Sequence, residues 1–339
     1  MVNILVVRNT NNQLGDMICA LPMFYALKKK FPDSKITLLR AATNYEVNYL
    51  QINPYIDDVV IMDRSSLKTT KDFIKKLREK KFDYGIVPST LETSTTGHII
   101  NFLSGAKKRV GISRRDEDIN KFAFLLNVKK EFDWNKKNIS QAQRALEVIE
   151  QIGCTITNEE IENISVELTE ESNKIANEFI LNNFIEGKPI IGIHPGAGKE
   201  DNRWSVNNFA EVVEKLQVKH DAEFLITCGA IDTEEVNKLT DMLTQKKIKF
   251  AVENAQNLKI LSALMRKLSL YICNDTGTLH LASLNKVNTI GLFGPTSSAE
   301  WKPIGSKTVC LQSPTKNIND LKPETVLAEA ERILVEQKH

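Results

Sequence analysis

The feature that most constrains this 339-residue chain is an alternation of short apolar runs with helical patterns. The runs at residues 3–7 (NILVV), 35–39 (KITLL), 58–62 (DVVIM), 83–87 (DYGIV) and 108–112 (KRVGI) are β-branched, and helical patterns separate most of them. A second series follows at 189–195, 222–229, 248–252, 268–275 and 288–295. Strands that alternate with helices are joined by crossovers, which build parallel sheets covered on both faces. The fold class expected is therefore α/β, and the length suits two Rossmann-like domains of roughly 150 residues each. Two such sheets place a cleft between them. Ligands of open α/β sheets sit beyond the carboxyl ends of the strands, so the strand-end loops should carry the chemistry.

Local signals refine the outline. A helix over 16–30 should end at FPDS, where proline and aspartate stop it, with a kink at Pro22. The last helix of the first half spans 140–153, with a glycine just past its end. Thr169 is the expected N-cap of the helix that opens the second half.

Charge and cysteine usage bound the partners. The net charge of +2 conceals an asymmetry: residues 1–165 hold 25 Lys+Arg and 20 Asp+Glu, and the remainder 20 and 23. The first half is the basic one. Its clusters, Lys28 to Lys30, Lys107 to Arg109, Arg114 with Arg115, and Lys136 with Lys137, suit an anionic partner or membrane surface, or simply solvated helix ends. A pI of 8.1 lies below the level that marks nucleic-acid-binding domains, so no nucleic-acid partner is expected. Five cysteines without CxxC spacing read as buried reduced thiols, not bridges or zinc ligands. MVNILVV is too short for a signal sequence, and no stretch approaches the ~18 apolar residues of a membrane span. The expected location is cytoplasmic.

The first strand leads into NNQLGDMICALP, residues 11–22. A strand, a glycine turn and a helix usually cradle phosphate on helix N-terminal amides. Asp16 would repel a phosphate there. Either it caps the helix or the turn handles something other than phosphate. Three second-half loops, HPGAGKEDNRW (194–204), NDTGTLHLA (274–282) and FGPTSSAEW (293–301), place glycine and small hydroxyl residues where strands end. Gly277, Thr276 and Thr278 are placed to offer amides and hydroxyls to a diphosphate, and Gly196 and Gly198 to let backbone approach it. His280, in the first turn or so of a helix, reads equally as a phosphate or sugar donor and as a core residue. His194 is likewise ambiguous.

Five segments in order, LGDMICALPMFYALKKKFPDSKITLL, NPYIDDVVIMDR, IGIHPGAGKEDNRW, NDTGTLHLAS and GLFGPTSSAEW, resemble glycosyltransferase family 9, the bacterial heptosyltransferases that extend the lipopolysaccharide inner core. The likeness runs from the first strand to about Gly305. It implies a GT-B architecture, two Rossmann-like parallel-sheet domains facing each other across a cleft: an acceptor domain over 1–168, a donor domain over 169–322, and a final helix in 323–339 packing back on the first domain. It implies that Asp16, on the lip of that cleft, is the general base that takes the proton of the acceptor hydroxyl. Asp275, Thr276, Gly277, Thr278 and His280 match the family's D-T-G-x-x-H loop for the diphosphate and donor sugar. Glu234 matches an acid that binds the ribose hydroxyls, with Glu235 or a mere helix-terminus role as alternatives.

One departure stands out. Where the family commonly carries a lysine to counter the leaving diphosphate, this chain has Asn202, which leaves Arg203 or Lys199 to supply the charge. The triplet Asp116 to Asp118 resembles a metal-binding DxD motif but lies in a mixed-charge loop of the acceptor half, so no metal and no cofactor are expected. The partners implied are a nucleotide sugar, ADP-heptose foremost, and an anionic glycolipid or oligosaccharide, with Arg114 or Arg115 as its phosphate ligand. Peripheral, salt-sensitive contact with the inner membrane would follow. A different nucleotide sugar, and a non-catalytic two-domain binding protein, are the alternatives. A nicotinamide oxidoreductase lacks its G-x-G-x-x-G, since the GAG at 196–198 has no third glycine.

Overall fold

Seven strands in the first half and six in the second form two separate sheets in the computed structural model, which describes residues 1–8, 14–41, 49–62, 67–254 and 257–337. The first sheet comprises β1 (Asn3–Arg8), β2 (Lys35–Ala41), β3 (Asp58–Met62), β4 (Tyr84–Ile86), β5 (Lys108–Arg115), β6 (Asp118–Ile119) and β7 (Val128–Phe132). Its order is β3-β2-β1-β4-β5-β6, with β7 also paired to β5; only the β5/β6 hairpin is antiparallel. The second comprises β8 (Ile190–His194), β9 (Glu223–Cys228), β10 (Phe250–Asn254), β11 (Leu270–Asn274), β12 (Thr289–Phe293) and β13 (Thr308–Gln312), in the order β10-β9-β8-β11-β12-β13, parallel throughout. Each sheet therefore reverses its winding once, between β1 and β4 and between β8 and β11.

Burial explains the elements. β8, β9, β11 and β12 are buried along their whole length, as parallel strands covered on both faces must be. The expected 16–30 helix is two helices, Leu14–Cys19 and Leu21–Lys30, broken at Ala20 with Pro22 in the first turn of the second. A proline there removes an amide that has no helical partner anyway, so the chain restarts its helix instead of bending one. Ser140 caps Gln141–Glu150 in a reciprocal box with Gln143, and Gly153 beyond it takes a left-handed φ of 73°. Thr169 caps Glu170–Asn183 in the same way, through Ser172.

The chain divides into two compact units, Met1–Ile161 and Glu162–His339, earlier than the expected boundary at 168. Ile161 packs on the first unit's core, whereas the Glu162 carboxylate accepts the Ser306 amide of the second at 3.2 Å. The last helix, Pro323–Glu336, belongs to the second unit. Val326, Ala330, Ile333 and Leu334 are buried in the core of that unit, against the helix Val206–His220. Each large aliphatic buried there contributes roughly 1.5 to 3 kcal/mol, enough to hold the helix to its own sheet.

Four cysteines are buried and Cys310 is half-buried, all as free thiols. Burial pushes the thiols of Cys154 and Cys310 up to about 11, so neither is a nucleophile at neutral pH. Among the described residues no helix is long and apolar enough to cross a membrane.

Candidate active site

The winding of the second sheet reverses between β8 and β11, and the loops that leave their carboxyl ends turn to opposite faces, the place where open sheets hold ligands. The fully buried Asn274, last residue of β11, stitches the two together. Its Oδ1 accepts the Trp204 amide at 3.1 Å, and its Nδ2 donates to the carbonyls of Pro195 at 2.8 Å and Gly196 at 3.2 Å. Both ends of the β8 loop thus hang on one side chain. Trp204 anchors the far end: its indole donates to the Leu321 carbonyl at 2.9 Å and its ring meets Phe209 edge-on.

Three loops singled out in the sequence meet at one carboxylate. Asp275 Oδ2 accepts from Thr296 Oγ1, of the β12 loop, at 2.6 Å and from Asn202 Nδ2, of the β8 loop, at 3.4 Å. Beside it Thr276, Gly277 and Thr278 are half-buried at the start of the helix Gly277–Leu284, whose N-cap Thr276 makes no side-chain capping bond. Amides at that end point along the helix dipole toward whatever anion lies there.

Gly196 has a reason that loop openness does not supply. A Cβ on it would lie 2.1 Å from Oδ1 of Asp232, a buried acid after β9. Asp232 Oδ2 accepts the Gly229 amide at 3.0 Å and lies 3.4 Å from Nε2 of His194. The other ring nitrogen of His194 is 2.9 Å from the Thr227 carbonyl, and the Thr227 hydroxyl meets Tyr271 Oη at 2.8 Å. Burial pushes the His194 imidazole below its ordinary range, against the pull of the Asp232 carboxylate. His194 is thus part of a buried polar chain beneath the β8 loop.

The remaining candidates separate. Arg203 donates to the Ala197 carbonyl at 3.0 Å and pairs with the half-buried Glu235 at 2.6 Å, so its charge is compensated inside the protein. Lys199 is exposed and has no carboxylate partner among the described residues. Glu234 stands on the surface of the helix Thr233–Gln245, paired at 2.6 Å with Lys238 one turn on. His280 is only 2% exposed, edge-on to Trp301, and burial lowers its pKa to about 4.

In the first unit, Asp16 is the half-buried third residue of the helix Leu14–Cys19, and Arg8 at the end of β1 donates to its carbonyl at 3.2 Å. Residues 9–13 of the preceding turn lie outside the described residues. Arg114 is held between Glu131 at 3.0 Å and Asp133 at 2.9 Å, and Arg115 lies 3.8 Å from Asp118. Their charges are met by neighbouring acids. The Asp116 to Asp118 triplet forms the β5/β6 hairpin, where Asp116 takes a φ of 52° and accepts the Asn135 amide, while Asp118 accepts from Thr93. No group of three or more His, Cys, Asp or Glu side chains arranged to hold a metal occurs among the described residues.

The roles of Asn274, Asp232 and Thr296 entered the site only with the structure. Asn274 alone left a sequence trace, a polar residue closing an otherwise apolar strand.

Buried histidines set an acid limit. His280, and His98 in the first unit, are kept neutral by burial, so their folded-state pKa values lie below the ordinary 6.5. The unfolded chain therefore binds protons that the native state refuses, and stability falls as pH drops from about 6.5 toward 4. His280 alone should account for a loss on the order of 3 kcal/mol at the end of that window. The depressed carboxylates Asp83 and Glu160 lose their contributions only below their own ordinary values of 3.8 and 4.5. Urea unfolding at neutral pH and at pH ~5 should show a lower midpoint in acid; equal midpoints would mean that these histidines titrate normally.

The sequence model of glycosyltransferase family 9 (heptosyltransferase) matches residues 70–330. Lipooligosaccharide heptosyltransferase 2 of Campylobacter jejuni is 32% identical over 181 residues, an alignment spanning 48% of this chain and 55% of that protein. Lipopolysaccharide heptosyltransferase 3 of Escherichia coli is 23% identical over 305 residues, with 85% and 82% of the two chains aligned. The solved E. coli ADP-heptose lps heptosyltransferase II superposes with a TM-score of 0.76 at 19% identity, covering 100% of both chains. The fold is that of these GT-B proteins.

Proposed function

Because the chain belongs to glycosyltransferase family 9, we propose that it is an inverting, metal-independent glycosyltransferase whose donor is a nucleotide-diphosphate sugar, ADP-heptose foremost, and whose acceptor is an anionic glycan of the lipopolysaccharide core. The observation that carries this reading is the meeting of the β8, β11 and β12 loops at Asp275, beside an uncapped helix N-terminus. The name of the solved E. coli relative favours ADP-heptose over other nucleotide sugars.

In this reading Asp16 takes the proton from an acceptor hydroxyl as its oxygen attacks the anomeric carbon. The bond from that carbon to the diphosphate breaks, and the electron pair leaves with the phosphate. Thr276, Gly277 and Thr278 receive that growing charge with amides and hydroxyls, which stabilise it without rearranging at the moment of reaction. Lys199 adds the cation in place of the family lysine, because Arg203 is already paired with Glu235. Arg203 then shapes the β8 loop, together with Gly196. Glu234 is the acid free to turn toward the ribose, since its exposed i,i+4 pair with Lys238 is worth little. His280 lines the donor-sugar side as a neutral, buried imidazole.

Thermal unfolding with saturating ADP, UDP, GDP or NAD tests the donor site. A nucleotide at ~100 times its dissociation constant stabilises the fold by about 2.7 kcal/mol, a shift of several degrees. ADP should give that shift. UDP or GDP acting instead would retain the transferase and replace the heptose donor, whereas NAD alone, or no nucleotide at all, would remove the donor-site assignment.

A further inference from the structure

We propose that Asn202 is a specificity residue for the sugar of the donor, and that it takes no part in countering the charge of the diphosphate. The inference rests on the donor-site reading above and assigns one of its residues to one part of the ligand. Asn202 ends the short 3-10 turn Glu200–Asn202 of the β8 loop and is only 5% exposed. Its Nδ2 donates at 3.4 Å to Asp275 Oδ2, the same oxygen that accepts from Thr296 at 2.6 Å. Its Oδ1 is buried and has no hydrogen-bond partner among the described residues.

The orientation of that amide follows from its neighbour. Turning it over would set an amide oxygen against a carboxylate, acceptor against acceptor, so Asp275 selects the nitrogen and the oxygen is the group left over. A buried acceptor without a donor is costly, and such a group in a folded protein calls for something that supplies the donor. The 3.4 Å bond to Asp275 is at the long end of the hydrogen-bond range, so the side chain can turn its oxygen toward a ligand by the kind of small adjustment that binding commonly brings.

Chemistry selects the part of the ligand. The oxygens of an ionised diphosphate are acceptors, and an amide oxygen repels them. A sugar hydroxyl carries the proton that Oδ1 lacks. Thr276, Gly277 and Thr278 offer donors beside Asp275, as a phosphate requires, whereas Asn202 adds an acceptor where the β8, β11 and β12 loops meet. A lysine at this position would bring charge and donors only, serving the diphosphate and ignoring the hydroxyl. Asparagine therefore trades charge for hydroxyl recognition, and the cation is left to the exposed Lys199 at the start of the same turn.

Titration calorimetry of the full chain with ADP and with ADP-heptose, or with the matching pair if the nucleotide screen selects another base, tests the assignment in wild type, Asn202→Leu and Asn202→Lys. The ratio of the two dissociation constants cancels the nucleotide, the diphosphate and any change in the folded fraction, which a merely structural role would alter equally for both ligands. Asn202→Leu should weaken ADP-heptose relative to ADP by about fivefold, the usual worth of one hydrogen bond. Asn202→Lys should show the same relative loss while binding ADP at least as tightly as wild type, and it keeps the test in hand if the leucine variant does not fold. A ratio unchanged from wild type in either folded variant would overturn the proposal, and a lysine variant that gains affinity equally for both ligands would make the position a charge site. Wild-type protein that binds neither ligand would instead remove the donor-site reading, and this inference with it.

Discussion

Asp16→Asn should lower kcat by a factor of about 10² to 10⁴, the usual worth of a positioned general base, while leaving the stabilisation by ADP intact. Both halves of that expectation follow from placement. Asp16 follows β1 in the first unit, and the residues assigned to the nucleotide follow β8 and β11 in the second. Asparagine matches aspartate in size and is as good near a helix start, so the Leu14–Cys19 helix and its Arg8 contact, which uses the backbone carbonyl, should persist. Turnover of ADP-heptose, or of whichever donor the nucleotide screen selects, with a truncated core acceptor is the measurement, alongside thermal shift. A variant that keeps turnover within about threefold would remove Asp16 from proton transfer. A variant that loses ADP stabilisation as well would show that the change reached the fold. A binding protein of the same architecture would be indifferent to the substitution in every assay.

The parts of this molecule that sequence reasoning reached, and those it missed, divide along a physical line. All ten strands anticipated are present; the inner ones are unbroken apolar runs because a parallel strand covered on both faces must be, and the outer β3 and β10 keep enough apolar residues to be read although they are only partly buried. The three not anticipated lie beside the outer strands of their sheets. VKKEF (β7) exposes three successive charged side chains, β6 is two residues of a hairpin, and TVCLQ (β13) is half-buried. Edge positions tolerate polar residues, and the apolar signal fades with them. The last helix was readable as a helix, yet its apolar stripe says only that it packs, not on which core.

The same line runs through the site. Glycines and hydroxyls at strand ends pointed to three loops, and the structure brings those loops together at Asp275. The residues that hold the loops in place were invisible because their roles exist only across long sequence distances: Asn274 serves a loop nearly 80 residues away. Glu234 and Glu235 show the limit most sharply. As helix neighbours they face directions about 100° apart; one meets solvent and Lys238, the other meets Arg203.

Gly196→Ala should be the most damaging one-carbon change in the second unit. The added methyl would lie 2.1 Å from Asp232 Oδ1, and Asp232 has little freedom to retreat, being buried, bonded to the Gly229 amide and close to His194. The β8 loop is the softer partner, so the strain should move it away from Asn274. Overpacking of this kind costs about 1 to 3 kcal/mol, and ADP affinity should fall by about tenfold, since 1.4 kcal/mol of displaced loop suffices for that. Asp232→Gly alone should cost about 1 to 3 kcal/mol through the unpaired Gly229 amide. Because it removes the carboxylate and also the Cβ, which would lie 2.5 Å from the added methyl, the double variant should be more stable than the two single losses predict, by about 1 kcal/mol or more. Strict additivity in denaturant unfolding would place the cost of Gly196→Ala elsewhere in the loop. A coupling of the expected sign, with ADP binding recovered in the double variant, would establish that the glycine is there for the buried aspartate, and that the aspartate sets the position of the loop that meets the nucleotide.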